Sequence, residues 1–419
     1  MKKHYHVFTK NIFAIFLLVN SYLCNAEETR GSLILNTFSN RLNLLERNLP
    51  LIIKSAEAAV ERTLSNTNLL INVPYGIQPS FAEEMLNRAG CLANALPTIE
   101  RPSLETPDDI VLLSVRSWDK DRQNIEKAIQ EESQKKHLII LFASNTGKPE
   151  TITVDYFIDN YALENTTNST VVNAIVNVVN GWLWVCEYTA ALTRKGKHPS
   201  ILQSIYEPES SDHNKKIQSP TSRRTLFACS TPIEAGSLAK QYITQTRKIV
   251  AKTGDTATWH DIQKAATIIA NHLKTGGKVG VAAATHILLY EIFHDNMTMW
   301  KPFNVVWHAK TAFKENLTKN DLLVWFSAVG ISTPLEDYRK FIKESEVRCI
   351  TCFLHDKNNE QNNDTGKTLC HIEQSWELPD SVVEIPFPPG KMAPVSGINQ
   401  ALLYRMLDEA VAEKVNTSK

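Results

Sequence analysis

Short apolar runs alternate with longer segments of helical periodicity along most of the chain. In the first half, four such runs predict strands at residues 69–73, 109–114, 137–142 and 151–157. Apolar positions three and four apart predict helices at residues 80–88, 122–135 and 171–194. This order of elements is typical of an α/β fold with a mainly parallel sheet.

The second half of the chain repeats this order. Strands are predicted at residues 278–283, 321–327, 347–354 and 381–385, and helices at residues 286–293, 335–344 and 398–414. Matching strands lie roughly 210 residues apart, and a near-constant spacing indicates an internal duplication. The prediction is an α/β protein of two doubly wound, mainly parallel-sheet domains in tandem, at residues 27–206 and 225–419.

Three kinds of segment complete this layout. Helical patterns at residues 33–64 and 233–273 lead into the first and the second copy. Residues 207–224 are polar and contain Pro and Ser, which predicts a linker or a long exposed loop. Residues 355–375 are rich in Asn, Asp and Gln, and this composition predicts a surface insertion in the second copy.

Charge narrows the range of partners. Lys and Arg together number 45, as do Asp and Glu, so the chain of 419 residues has a net charge of zero. A neutral chain has no overall electrostatic attraction to nucleic acid or to an acidic membrane surface. Neither is expected as a partner, and no segment after the N-terminus has the apolar length of a membrane span.

The N-terminus differs from the rest of the chain. Lys2, Lys3 and Lys10 precede the apolar run at residues 12–19, and the small residue Ala26 follows. This is the order of a secretory signal peptide, here residues 1–26, and the alternative is a buried N-terminal helix. We expect an exported protein, periplasmic or secreted, and mass analysis of the N-terminus of the native protein would show whether the peptide is cleaved.

The cysteines do not form a recognisable framework. Cys349 and Cys352 have C-x-x-C spacing, but they lie in an apolar run that predicts a buried strand. Side chains three apart on a strand point to opposite faces, so we expect core cysteines and not a zinc or redox site. No His, Asp or Glu spacing indicates a metal site, and no cofactor motif is present.

A family resemblance rests on the loops and strands of the repeat. In the second copy, Ser327, Gly330, Ser332 and Thr333 follow a strand, and the sequence DSVVEIP at residues 380–386 follows later. This layout resembles the SIS (sugar isomerase) domain, which occurs in tandem in the isomerase half of glucosamine-6-phosphate synthase. The resemblance covers residues 33–413 and implies clefts that bind a carbohydrate derivative.

The resemblance also implies which residues line the clefts. In the first copy the sequence YGIQPS occupies the place of the first ligand loop, where backbone N–H groups and a hydroxyl at a helix N-terminus hold an anionic or hydroxylated ligand. Ser80 is equally suited to cap its own helix. The implied ligand-binding residues are Tyr75, Gly76, Gln78, Ser80, Ser114, Arg116 and Ser117 in the first copy and Thr285, Ser327, Gly330, Ser332 and Thr333 in the second.

The loops depart from the family pattern. Gln78 stands where the family usually has a second Gly, and the first copy lacks the Gly and Thr of the second loop. In the second copy, Val329 replaces a Ser. Arg116 is a candidate fork donor to phosphate or carboxylate, and it is equally a candidate for a solvated loop residue.

Isomerase chemistry would need a positioned base and a second acid or base. Glu187 is the first candidate, because it lies on an apolar helix where burial would raise its pKa. Its alternative role is a structural cap or ion pair. Glu84 and His286 are the other catalytic candidates, and acids in a first helical turn are common for dipole reasons alone.

Three functions stay open on the sequence. The first is a protein that binds a phosphorylated or amino sugar in SIS-like clefts. The second is an aldose–ketose isomerase acting on an exported or wall-derived sugar, and the third is a structural exported protein with degenerate clefts. The expected partner is a small sugar derivative, with the two repeats packed as an internal pseudo-dimer and homo-oligomer formation left open.

Overall fold

A computed structural model describes most of the chain between residues 30 and 416. The described residues are 30–86, 88–97, 109–162, 167–204, 207–219, 222–283, 287, 303–304, 318–329, 347–354 and 367–416. The expected signal peptide lies outside them. So do the predicted helix at residues 335–344 and all but one residue of that at 286–293.

The first copy contains a five-stranded parallel sheet. Its spatial order is β2-β1-β3-β4-β5. The strands are β1 Ile71–Asn72, β2 Ala95–Leu96, β3 Ile110–Ser114, β4 Leu138–Ala143 and β5 Tyr156–Asp159. The chain leaves β1 toward β2 and then returns to the other side of β1 with β3, so strand order reverses between β1 and β3.

The second copy builds the same sheet. Its parallel strands follow the order β9-β8-β10-β11-β12, which matches the first sheet position by position. They are β8 Val279–Ala283, β9 Phe303–Asn304, β10 Leu322–Val329, β11 Arg348–Leu354 and β12 Thr368–Glu373. Two α/β domains with parallel sheets are therefore confirmed.

One strand of the second copy lies outside its parallel sheet. The strand predicted at residues 381–385 is present as β13 (Ser381–Glu384), and it pairs antiparallel with β14 (Lys391–Pro394) in a separate hairpin. The fifth strand of the sheet is β12, within the segment predicted as an insertion. It is an edge strand in which only Cys370 and Ile372 are buried, and Thr368, His371 and Glu373 interrupt its apolar residues, so a search for apolar runs missed it.

Helices cover both faces of the first sheet. The N-terminal helices are α1 Arg30–Leu44 and α2 Leu49–Ser65, joined by a 3-10 turn at Leu45–Asn48, and the other helices of the copy are α3 Pro79–Met85, α4 Trp118–Gln134 and α5 Thr167–Arg194. On one face, Ile125 and Ile129 of α4 pack against Val111 and Leu141 of the sheet. The opposite face packs against α5 and α2.

The described helices of the second copy pack on its sheet and on one another. The segment predicted as a linker contains the short helix α6 Ser210–Ile217, and β6 (Lys197–His198) pairs antiparallel with β7 (Phe227–Ala228) around it. After these come α7 Ser237–Thr253, α8 Thr256–Lys274 and the closing helix α9 Ser396–Asn416. Asp255 caps α8 by accepting a hydrogen bond from the Thr258 N–H at 2.7 Å.

The two copies share one hydrophobic core. Helix α1 of the first copy packs against α9 of the second, and α7 of the second copy packs against α5 of the first. One buried cluster runs through both halves, from Phe38 through Trp182 to Tyr242 and Leu407. The halves therefore meet as an internal pseudo-dimer.

Two other predictions can be compared with the fold. Cys349 and Cys352 lie in β11, and both are buried as core residues. Of the helices that the structure describes, none combines the length and the apolarity that crossing a bilayer requires.

Candidate functional site at the strand ends

The two predicted loops of the first copy meet where strand order reverses. The first loop follows β1 and ends at Gln78, which precedes α3, while the second follows β3 and ends at Ser117, which precedes α4. Since β1 and β3 are neighbouring parallel strands, both loops lie at the same edge of the sheet. This is the place where open α/β sheets bind ligands.

Gln78 is the centre of a buried polar network at this edge. Its carboxamide oxygen accepts hydrogen bonds from the Ser114 hydroxyl and, at 3.2 Å, from the Asn177 amide. Its amide nitrogen donates to the Ser80 hydroxyl and to the Ala174 carbonyl, both at 3.1 Å. Asn177 also donates to the Val115 carbonyl at 2.9 Å, which ties helix α5 to the end of β3.

This network engages the hydroxyls that the resemblance assigned to a ligand. Ser80 and Ser114 are buried, and both bond to Gln78. Buried hydroxyls need a hydrogen-bonding partner, and the side chain that replaces the family's Gly supplies one. The more accessible positions of the loops are Tyr75, Gly76 and Ser117.

Two arginines lie beside the network. Arg41 of α1 and Arg116 of the second loop have 5% and 6% of their surface exposed. Asn173 of α5 connects them, because it accepts a hydrogen bond from the Arg41 guanidinium and donates to the Arg116 carbonyl at 2.8 Å. Burial lowers the pKa of Arg41 to about 10, although the nearby Asp159 carboxylate opposes this shift.

The second copy has a related network at its strand ends. The Gln374 amide donates to the carbonyls of Ser327 and Cys352 at 2.7 and 3.0 Å, and the Gln400 amide donates to Ser327 at 3.1 Å. Gln400 of α9 bonds to Gln374, which follows β12. The first copy has a matching contact, in which Asn177 of α5 bonds to Asn160 after β5. Of the residues predicted for this site, Ser327 is buried here, and Thr285, His286, Gly330, Ser332 and Thr333 lie outside the described residues.

The carboxamides were not among the residues predicted for the site. Asn173, Asn177 and Asn180 are all buried on α5. Their spacing of four and three residues places them on one face of a helix that is otherwise apolar. Asn180 and Asn48 both donate to the Asp159 carbonyl, at 3.2 and 2.7 Å, which extends the polar row along α5. A search for polar residues at helical spacing within an apolar helix would have found this signal.

Glu187 lies on the same helix but away from these loops. Ten residues separate it from Asn177, or about 15 Å along a helix axis. Its carboxylate accepts hydrogen bonds from the N–H groups of Gly236 at 2.8 Å and Ala239 at 3.3 Å, at the start of α7. Burial raises its pKa, as expected for a carboxyl on an apolar helix, while these two N–H groups oppose the shift. The contacts are those of a helix cap.

Glu84 belongs to a different buried cluster. Its carboxylate pairs with Arg88 four residues later and accepts a hydrogen bond from the Trp182 indole at 3.4 Å. Arg88 also pairs with Asp380 of the second copy at 3.1 Å. The structure therefore brings neither Glu84 nor Glu187 to the loops at the strand ends. Within the described ranges, no group of three or more His, Cys, Asp or Glu side chains could hold a metal ion.

Comparison with solved structures relates this arrangement to known proteins. The chain superposes with a TM-score of 0.53 on a protein from Salmonella typhimurium LT2 that carries a provisional name as a sugar-binding protein. The two are 10% identical, and the match covers 90% of this chain and 98% of the other. This chain has the tandem SIS fold.

Two other SIS structures were matched over similar lengths. The C-terminal domain of glucosamine-fructose-6-phosphate aminotransferase from Francisella tularensis is 8% identical with a TM-score of 0.48, covering 90% of this chain and 96% of that one. Tagatose-6-phosphate ketose/aldose isomerase from Escherichia coli is 12% identical with a TM-score of 0.47, covering 94% and 95%. No protein-family model and no curated protein sequence matches the chain.

Proposed function

We propose that the protein binds a carbohydrate derivative, phosphorylated or amino-substituted, at the carboxyl end of the first sheet. The observation that carries this proposal is the meeting of the loops after β1 and β3 where strand order reverses. The names of solved structures with the same fold, which refer to sugar binding and phosphosugar isomerisation, agree with this ligand class.

The proposed contacts differ from those that the family pattern implies. Because Ser80 and Ser114 bond to Gln78, they orient the loops and do not contact the ligand. The ligand instead meets the backbone at Tyr75 and Gly76 and the hydroxyl of Ser117. Arg116 supplies positive charge for a phosphate, and a guanidinium in a poorly solvated place binds such a group strongly.

Binding is favoured over isomerase chemistry by the placement of the two carboxylates. A general base must lie within hydrogen-bond reach of the proton that it removes. Glu187 contacts the start of α7, and Glu84 is paired with Arg88, so neither is positioned for a sugar at the loops. We therefore favour binding as the function. Isomerisation is the alternative, and it would need a general base among the residues outside the described ranges.

The test is a thermal-shift and calorimetric screen with glucose, glucosamine and their 6-phosphates. We expect stabilisation by at least one of them, and tighter binding of the phosphorylated form of that sugar. Arg116→Gln should weaken binding of the phosphorylated sugar by about tenfold or more, since charge-assisted hydrogen bonds contribute ~1.5–3 kcal/mol. The matched control is Arg122→Gln, which removes the same charge from an exposed position on α4 and should leave affinity unchanged.

Each contrary result has a separate meaning. Equal affinity of wild type and Arg116→Gln for every sugar would remove Arg116 from the site while leaving sugar binding intact. Absence of any shift with all four compounds would contradict the proposal and favour a structural protein with degenerate clefts. Solvent deuterium incorporated into a bound sugar would favour the isomerase.

A further inference from the structure

A buried charged cluster joins the two SIS domains. Glu84 and Arg88 come from the first copy, and Asp380 and Ser396 come from the second. Arg88 pairs with both carboxylates and donates to the Ser396 hydroxyl, which in turn donates to Asp380 at 2.8 Å. All four residues are buried, with 6% or less of their surface exposed.

The electrostatics of this cluster make it a strong link. Two carboxylates share one guanidinium in a place shielded from water, where unpaired charges are costly. Burial alone would lower the pKa of Arg88, but Glu84 and Asp380 outweigh that effect and raise it. Separating the two copies at this point would leave Asp380 without its guanidinium partner, while Arg88 would keep Glu84.

Backbone packing at the cluster is also close. A Cβ atom at Gly397 would lie 3.0 Å from Nη1 of Arg88 and closer still to Oε1 of Glu84. A larger residue at this position would force the Glu84 and Arg88 side chains to shift. The first turn of α9 and the end of α3 are therefore in close contact at Gly397.

Each of these helices also reaches one of the strand-end networks. Helix α3 begins directly after Gln78, the centre of the first network, and Glu84 lies at its other end. Helix α9 begins at Ser396, and Gln400 in its first turns bonds to Ser327 and Gln374 in the second network. A short path of packed and hydrogen-bonded groups thus connects the two networks through Arg88.

We propose that the Glu84–Arg88–Asp380–Ser396 cluster couples the strand-end sites of the two copies. A disturbance of the second site moves the start of α9, and the cluster passes this displacement to α3 and the loop of the first site. Such coupling is reciprocal, so a disturbance of the first site must reach the second to the same extent in free energy. The proposal concerns the protein without ligand and is independent of whether a sugar binds.

Hydrogen exchange followed by mass spectrometry tests this coupling in the full chain. Gln400→Ala should accelerate exchange several-fold within residues 395–403 and also within residues 78–86 of the other copy. Gln78→Ala should have the converse effect, with faster exchange at residues 395–403. The same substitutions are then made in Glu84→Gln/Arg88→Met/Asp380→Asn, a background that removes all three charges together because removing Arg88 alone would leave two buried carboxylates without their cation. In this background, each substitution should accelerate hydrogen exchange only within its own copy.

Two controls separate coupling from general destabilisation. His137→Gln removes a buried hydrogen bond with Glu132 inside the first copy, and transmission between the networks should persist in it. If the triple variant does not fold, Gly397→Ala replaces it as the uncoupled background, since the clash changes no charge. The proposal is overturned if Gln400→Ala leaves residues 78–86 unchanged in wild type, or if transmission persists in the uncoupled background.

Discussion

At the scale of single residues, Glu187 is a buried carboxylate that links the two copies. It follows Trp184, Val185 and Cys186 on an apolar helix, and burial raises its pKa. Its partners are N–H groups of α7, about 50 residues later in the chain. Periodicity defines which face of a helix is buried, but it carries no information about which distant element packs there.

A second buried carboxylate gives a pH prediction. Glu132 bonds to His137 at 2.6 Å and to Lys135 at 3.2 Å. Burial would raise its pKa, but the bonds from His137 and Lys135 outweigh burial and lower it. A carboxyl whose pKa is lowered by folding stabilises the protein above its unfolded pKa of about 4.3, and that contribution is lost as pH falls through the folded value.

We therefore expect the free energy of unfolding to decrease between about pH 5 and pH 3, and to decrease less in Glu132→Gln. At neutral pH the variant should be less stable by roughly 1–3 kcal/mol, as expected for charge-assisted hydrogen bonds lost at a buried site. Urea unfolding at several pH values measures both effects. Glu131→Gln, an exposed neighbour, is the control, and equal pH profiles for the two variants would contradict the assignment.

At the scale of elements, strands buried on both faces were predictable and an edge strand was not. The strands β3, β4, β10 and β11 are buried apolar runs, and each lies within two residues of its predicted bounds. The edge strand β12 is half polar, so its composition resembles that of a loop. The apolar run at residues 381–385 is a strand as predicted, and the sequence did not show that it forms a hairpin packed against α7.

Contact between α3 and α5 depends on Gly181. A Cβ atom there would lie 2.7 Å from the Phe81 ring and 2.9 Å from the Met85 sulfur. Alanine is favoured over glycine within a helix by roughly 1 kcal/mol, but overpacking costs ~1–3 kcal/mol, so Gly181→Ala should destabilise the protein. Chemical denaturation measures the change. Gly76→Ala serves as the comparison because no atom lies within 4 Å of its added Cβ, and a stabilised Gly181→Ala would contradict the described packing.

At the scale of the whole molecule, the duplication was visible in the sequence, and the way the copies pack was not. Strand spacing predicted two sheets, and their identical strand order confirms them. Helix α1 packs against α9, and α7 packs against α5, through their apolar faces. The sequence shows that these faces are apolar but not which of them meet. The cluster around Arg88 could not be predicted from the sequence either, because 292 residues separate Arg88 from Asp380.

The shared core predicts how the chain unfolds. Trp182 and Trp184 report on the first copy and Trp325 and Trp376 on the second, and all four are buried. Since one cluster of apolar side chains spans both copies, we expect a single transition in urea, with tryptophan fluorescence and far-ultraviolet circular dichroism coinciding. Two separated transitions would show that the copies are independent folding units.

The packing of helices of one copy against those of the other also bears on how a chain with two copies arises. A chain with one repeat would leave the apolar face of its closing helix uncovered, and a second chain would have to supply the missing helix. That association would weaken on dilution, as every equilibrium between separate chains does. Covalent fusion makes the encounter intramolecular and fixes the effective concentration of the partner. Fused halves are also free to diverge. Gln78 bonds to Asn177 in one half and Gln374 bonds to Gln400 in the other, so the two halves use different side chains to pair buried polar groups at the strand ends.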